Sequence, residues 1–140
     1  MPELVSYPNH RFQVQIDGQA VGLIVEIILP EARADVVEHA QGIGLHKSRG
    51  AIHLSNLVLR RGCSQDQTLS QWWLHGNEGD EVHATREVAV LLLDEMQNPV
   101  KHWLIKAWPA RYSVAPLTAS DNDVILIETM ECVTVEFVET

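Results

Sequence analysis

Residues 86–94 read Arg-Glu-Val-Ala-Val-Leu-Leu-Leu-Asp, and their reading decides the fold. Six consecutive apolar residues, Val88 to Leu93, lie between a charged start and the turn residues Gln97-Asn98-Pro99. This is the pattern of a strand, and a second strand follows from Val100 to Trp108. Both parities of the run are apolar, as they are again around Trp103-Leu104-Ile105. A lone antiparallel sheet in water keeps one polar face, so either a further layer or a second subunit must cover these strands.

Working outward, Phe12, Val14 and Ile16 alternate with Arg11, Gln13, Gln15 and Asp17. Asp17-Gly18 then supplies a two-residue turn before the apolar stretch Val21 to Leu29, so a β-hairpin is expected. Residues 30–37 suit helix or strand, and Val36-Val37 favour a strand. Gln41 to Gly50 holds three glycines, His46, Lys47 and Arg49 with few apolar anchors, the composition of an exposed contact loop. Ile52, Leu54, Leu57 and Leu59 predict a strand with a register change or bulge near Asn56, ending at Arg60-Arg61-Gly62.

One helix is expected next. Ser64 and Gln67 form a capping box, Leu69, Trp72 and Trp73 share a face, and Gly76 closes the C-terminus. The two tryptophans read as the core-facing anchor of that helix rather than as a stacking platform. Trp103 and Trp108 have opposite parity, so one of them is a candidate interface residue. After the turn Asp121-Asn122-Asp123, the last strand runs from Val124 to Val138. The chain is thus mainly β: an antiparallel β-sandwich or small barrel, meander-connected, with one short flanking α-helix.

The 140 residues are 46% hydrophobic and 21% charged, with 10 basic and 19 acidic side chains and a net charge of −9. A single domain over 1–140 is expected, because no repeat, linker or low-complexity segment divides the chain. The negative field disfavours gripping nucleic acid or an anionic membrane. No apolar window reaches the roughly 18 residues of a membrane span, and Met1-Pro2-Glu3-Leu4 lacks the marks of a signal peptide. The chain is expected to stay in the cytoplasm until it assembles. Cys63 and Cys132 lack CxxC spacing and read as reduced thiols.

Little points to chemistry. The seven histidines show no HxH or HExxH spacing, and Gly42-Ile43-Gly44 is only a fragment of a phosphate loop. There is no GxSxG elbow, and Cys63 with His75 has nothing local to activate the thiol. The carboxylate pairs Asp94-Glu95, Asp80-Glu81 and Asp121 with Asp123 sit in turn-like contexts. No catalytic residue, metal site or cofactor is expected. After Arg111 come six acids and no Lys or Arg. Glu128 and Glu136 share one parity, opposite to Ile127, Val133 and Val135, and define an acidic face: either a solvated surface or a wall that repels a passing polyanion.

The order of these motifs resembles the tail-tube protein family of contractile phages and phage-like contractile injection systems. The resemblance spans nearly the whole chain as a series of weak motifs. They include Phe12-x-Val14-x-Ile16-Asp17-Gly18, Asp35-Val36-Val37-Glu38, Asn56-Leu57-Val58-Leu59-Arg60-Arg61-Gly62, Leu69-x-x-Trp72, Arg86 to Asp94, and Ala107-Trp108-Pro109. The resemblance implies a non-enzymatic structural subunit forming hexameric rings that stack into the inner tube of a contractile tail. It implies self-association, with tail sheath, baseplate and tape-measure or end-cap proteins as partners, and DNA or protein cargo passing the lumen without specific binding. It implies no membrane binding by this chain alone. The loop residues Gly42, Gly44, His46, Lys47, Arg49 and Gly50 become a candidate subunit interface, and Glu128 and Glu136 a candidate lumen or outer-tube face.

The chain departs from the family pattern at Ile27-Ile28-Leu29-Pro30, His39-Ala40 and Arg49-Gly50. These departures sit beside expected subunit contacts and suit a specialised ring that starts or ends the tube. A monomeric β-barrel binding module is the reading from another class.

Overall fold

The computed structural model describes residues 12–42, 44–76, 78–120 and 123–140. Arg11, His10 and the Asp121-Asn122 part of the expected turn lie outside them. Among the described residues, nine strands and two short helices follow in the order β1 (Phe12–Ile16), β2 (Gln19–Val21), β3 (Ile24–Ile28), β4 (Ala32–Gln41), β5 (Gly44–Leu54), β6 (Leu57–Gly62), α1 (Thr68–Gly76), α2 (Glu81–Ala84), β7 (Arg86–Leu93), β8 (Pro99–Ser120) and β9 (Asp123–Glu139).

Seven strands form one antiparallel sheet in the order β2-β1-β7-β8-β9-β6-β3, and β4 with β5 form a separate two-stranded sheet. The run around Val88 to Leu93 is central, with β1 on one side and β8 on the other. Only β7-β8-β9 is a meander at the heart of the sheet, whereas β1–β7 and β6–β9 are long-range pairings. The expected Asp17-Gly18 turn joins β1 to β2, with φ of 49° at Asp17 and 81° at Gly18. Both residues occupy the left-handed region that a tight hairpin turn of this kind requires.

The apolar stretch Val21 to Leu29 is not one strand. β2 and β3 stand on opposite edges of the sheet, yet only Gly22 and Leu23 separate them. Three Cα–Cα steps span at most roughly 11 Å. The sheet must therefore roll until its two edges approach at this seam, and Leu23 takes φ 61° there. The edges do not pair, so the barrel is not closed, and the mainly β, antiparallel architecture with a short helix against it is the class expected from the sequence.

Inside the roll, Val14, Ile16, Val88, Val90, Ile105, Leu57, Leu59, Met130 and Cys132 form the core. Leu69 and Trp72 of α1 are fully buried in it, and Trp73 packs at its margin. The Trp72 indole N–H donates to Ala84 O at 2.7 Å, which ties α1 to α2. Ala89 and Leu93, of the other parity on β7, are also buried within the chain. α1 begins one turn later than the Ser64 capping box implies: Asp66 Oδ1 accepts from the Thr68 N–H at 3.0 Å, and Ser64 Oγ instead accepts from Arg61. The one-turn helix α2 has its own cap, Asp80 Oδ1 accepting from the His83 N–H.

Two further expectations change. The Gln41 to Gly50 loop is mostly strand: β4 and β5 pair from Ala32↔Leu54 to Gln41↔Gly44, leaving a short turn with Gly42 at φ 59°. Ser55-Asn56 is no bulge within a strand but the step from this second sheet into the first.

Candidate functional site

The β4–β5 hairpin is an arm with almost every described residue exposed or half-exposed. Its base is clamped to the main sheet. The Ser55 N–H donates to Glu31 O at 3.0 Å, the Glu31 N–H to Ser55 Oγ at 2.6 Å, and the Thr134 hydroxyl to Ser55 O at 2.8 Å. Residues directly opposite in an antiparallel pair share a face, so the register divides the arm into two different surfaces.

One surface carries Ala34↔Ile52, Val36↔Arg49, Glu38↔Lys47 and Ala40↔Leu45. Val36, Leu45 and Ile52 are exposed there by 66%, 63% and 51%, an apolar surface without cover. The opposite surface carries imidazoles. His39 faces His46 with ring centroids 6.5 Å apart, Ser48 Oγ lies 3.3 Å from His39 Nε2, and His53 Nε2 lies 2.9 Å from Asp35 Oδ2. A register shift at Gly50 brings the strands close, and a Cβ added at Gly50 would meet Val37 Cγ2 at 3.0 Å and Asp35 Cβ at 3.2 Å. Only glycine fits this close approach without displacing a neighbour.

The six candidate loop residues are thus divided. Lys47 and Arg49 belong to the apolar surface and His46 to the imidazole surface, Gly50 is the close approach, and Gly42 and Gly44 frame the turn. An isolated two-stranded ribbon is marginal in water, and three bare aliphatic side chains on one face add a surface that association would bury.

Glu128 and Glu136 do not form one acidic face. Glu128 is 5% exposed and faces inward opposite Arg61, which is 1% exposed. Glu128, Met130, Cys132 and Thr134 alternate inward. The pairing then skips Val135, passing from Ala107↔Thr134 to Lys106↔Glu136, and this bulge sends Glu136 outward. There Glu136 pairs with Lys106 at 3.5 Å. A parity count along the strand cannot see the inserted residue.

The inward-facing cluster is fully partnered. Arg61 Nη1 donates to Asp66 Oδ2 at 3.1 Å and Nη2 to Ser64 Oγ at 2.8 Å, while Nε lies 3.8 Å from Glu128 Oε1. The Tyr112 hydroxyl donates to Glu128 Oε2 at 2.8 Å. Burial, then the hydrogen bond and charge of Glu128, push the Tyr112 phenol up to about 12. Hydrogen bonds from Thr68 and Arg61 hold the Asp66 carboxyl below its usual range. Burial raises the Cys132 thiol to about 12, so it is a core group and not a nucleophile. Among the described residues, no three His, Cys, Asp or Glu side chains converge as metal ligands.

Sequence reading missed a notch of about 380 Å³ between α2 and β9, lined by Val82, Val135, Asp17, Thr85, Arg86, Glu87 and Lys106. Val82 and Val135 are 82% and 57% exposed. Of the two β8 tryptophans, Trp103 packs against the core. Trp108 stands half-buried on the outer surface opposite Val133.

The rolled sheet, filled by one short helix, thus carries an arm whose apolar side chains are bare. The family model for the T4-like virus tail tube protein gp19 matches residues 8–137. The chain belongs to this tail tube family. A tail tube protein is a structural component and not an enzyme.

The fold agrees with solved structures. A chain of the PVC sheath-tube complex of an extracellular contractile injection system, in the extended state, superposes with TM-score 0.77 at 17% identity, covering 96% of this tail tube protein and 91% of that chain. The tube-terminating cap of the anti-feeding prophage gives 0.83 at 15% identity, covering 100% and 94%. Hcp1 from Flavobacterium johnsoniae gives 0.60 at 13%, covering 91% and 93%. No curated protein sequence matches this one significantly.

Proposed function

We propose that this tail tube protein assembles as homohexameric rings, stacked into the inner tube of a contractile phage tail or phage-like injection particle. The carrying observation is the arm: a clamped hairpin whose Val36, Leu45 and Ile52 are bare in the single chain. A second copy of the chain is the partner that a repeating ring supplies at every arm. The candidate interface Gly42, Gly44, His46, Lys47, Arg49 and Gly50 belongs to this contact through the division of faces described above. Glu136, exposed beside Lys106, remains a candidate for the tube surface.

The ring partners are sheath, baseplate and end-cap proteins, by analogy with the complexes in which the similar chains were solved. A tape-measure protein and a DNA or protein cargo would pass through the lumen without a specific site. Light scattering with negative-stain imaging of the purified chain tests this: particles of about six subunits are expected, alone or stacked. A compact monomer at all concentrations would reject self-assembly and return the binding-module reading.

A specialised ring that starts or ends the tube is the second reading, favoured by the departures at His39-Ala40, Arg49-Gly50 and Ile27-Ile28-Leu29-Pro30. The first two lie in the arm, and Pro30 is buried at the junction that aims it. Rings that never stack would select this reading over a bulk tube subunit.

A further inference from the structure

We infer that the notch between α2 and β9 receives the apolar surface of the arm from a second copy, with Arg49 of one copy paired to Glu87 of the next. The inference rests on the ring reading and names the receiving surface that reading leaves open. Charge divides unevenly along the chain. Residues 32–54 carry Arg33, Lys47 and Arg49 against Asp35 and Glu38, a net of 3 − 2 = +1, while the rest of the chain carries 7 − 17 = −10. The charge of the arm therefore suits the acidic body of another copy.

At the level of single residues the match narrows. On the apolar surface of the arm, Lys47 is held by Glu38 at 3.8 Å, leaving Arg49 exposed opposite Val36 and without an ion pair among the described residues. In the notch, Arg86 is held by Asp17 at 3.8 Å and Lys106 by Glu136 at 3.5 Å. Glu87 is left exposed beside Val82 and Val135, also without an ion pair among the described residues. Each surface therefore presents bare aliphatic side chains around one unmatched charge, and the two charges are opposite. Joining them buries Val36 and Leu45 on Val82 and Val135 and neutralises both charges as they lose water, which an unpaired charge could not do cheaply. Residues near the arm tip on its other face, His39 and His46, stay outside the contact.

The test measures the concentration for half-assembly of the full chain by light scattering, alongside thermal melts. Arg49→Glu should raise that concentration at least about tenfold, with Arg49→Gln intermediate, because a repelling pair replaces an attracting one. The double variant Arg49→Glu/Glu87→Arg should return to within about threefold of the parent, the signature of direct coupling. Melts of the dilute monomers should coincide with the parent. Rings that tolerate Arg49→Glu, or a defect that Glu87→Arg does not relieve, overturn the contact while leaving the ring reading intact. A parent chain that never forms rings overturns both.

Discussion

Arg61 and Glu128 stand directly opposite each other on β6 and β9, inside the rolled sheet, with Nε and Oε1 3.8 Å apart and both side chains almost inaccessible. Arg61 also reaches the Ser64 hydroxyl and the Asp66 carboxylate that starts α1. The pair thus joins the sheet to the one helix that fills its core.

Removing one partner should cost more than removing both. Glu128→Ala leaves a buried guanidinium and the Tyr112 hydroxyl short of an acceptor, and about 3 kcal/mol of stability should be lost. The double variant Arg61→Met/Glu128→Leu should cost clearly less than Glu128→Ala alone, because no buried charge remains. Urea unfolding of the two variants measures the difference.

Alkaline conditions should destabilise the fold in a defined window. The unfolded chain releases the Cys132 proton near the ordinary 9.0 and the Tyr112 proton near 10.0, whereas the folded chain holds both to about 12. Above pH 9 the folded state binds more protons than the unfolded one, so stability is complete below pH 9 and falls as pH rises towards 12. Cys132→Ala should flatten the lower part of that decline in urea melts collected from pH 8 to 11.

On the arm, Val36→Asp should leave the monomer melt unchanged to within about 0.5 kcal/mol, since this side chain touches solvent. The same change should abolish rings in negative stain, because the charge would be buried in the subunit contact. Normal rings from this variant would detach the apolar surface of the arm from assembly.

Salt separates the forces that hold a ring. Strand contacts and apolar burial are insensitive to screening, so rings should survive roughly molar NaCl, weakened only by the loss of ion pairs. Dissociation at that ionic strength, followed by light scattering, would show that charge dominates.

Local chemistry determined much of this protein from the sequence itself. Alternation around Val14 and Ile16, the Asp17-Gly18 turn, the apolar run at Val88 to Leu93 and the Leu69 and Trp72 spacing each act within a few residues, where side-chain period and backbone preference suffice. The tail tube resemblance was likewise carried by such short motifs, and the family match agrees with it.

Tertiary structure alone decided the rest, because the deciding partners are distant in the chain. Residues 41–50 look like a loop because they lack apolar anchors, yet β4 supplies the hydrogen bonds of residues 44–50 and makes them strand. The stretch Val21 to Leu29 breaks between two sheet edges because the roll of the whole sheet brings those edges together. Glu128 turns inward because Arg61 meets it from β6, and the bulge at Val135 reverses the alternation that had joined it to Glu136. The notch exists only where α2 is carried beside β9, so no period or motif along the chain could reveal it.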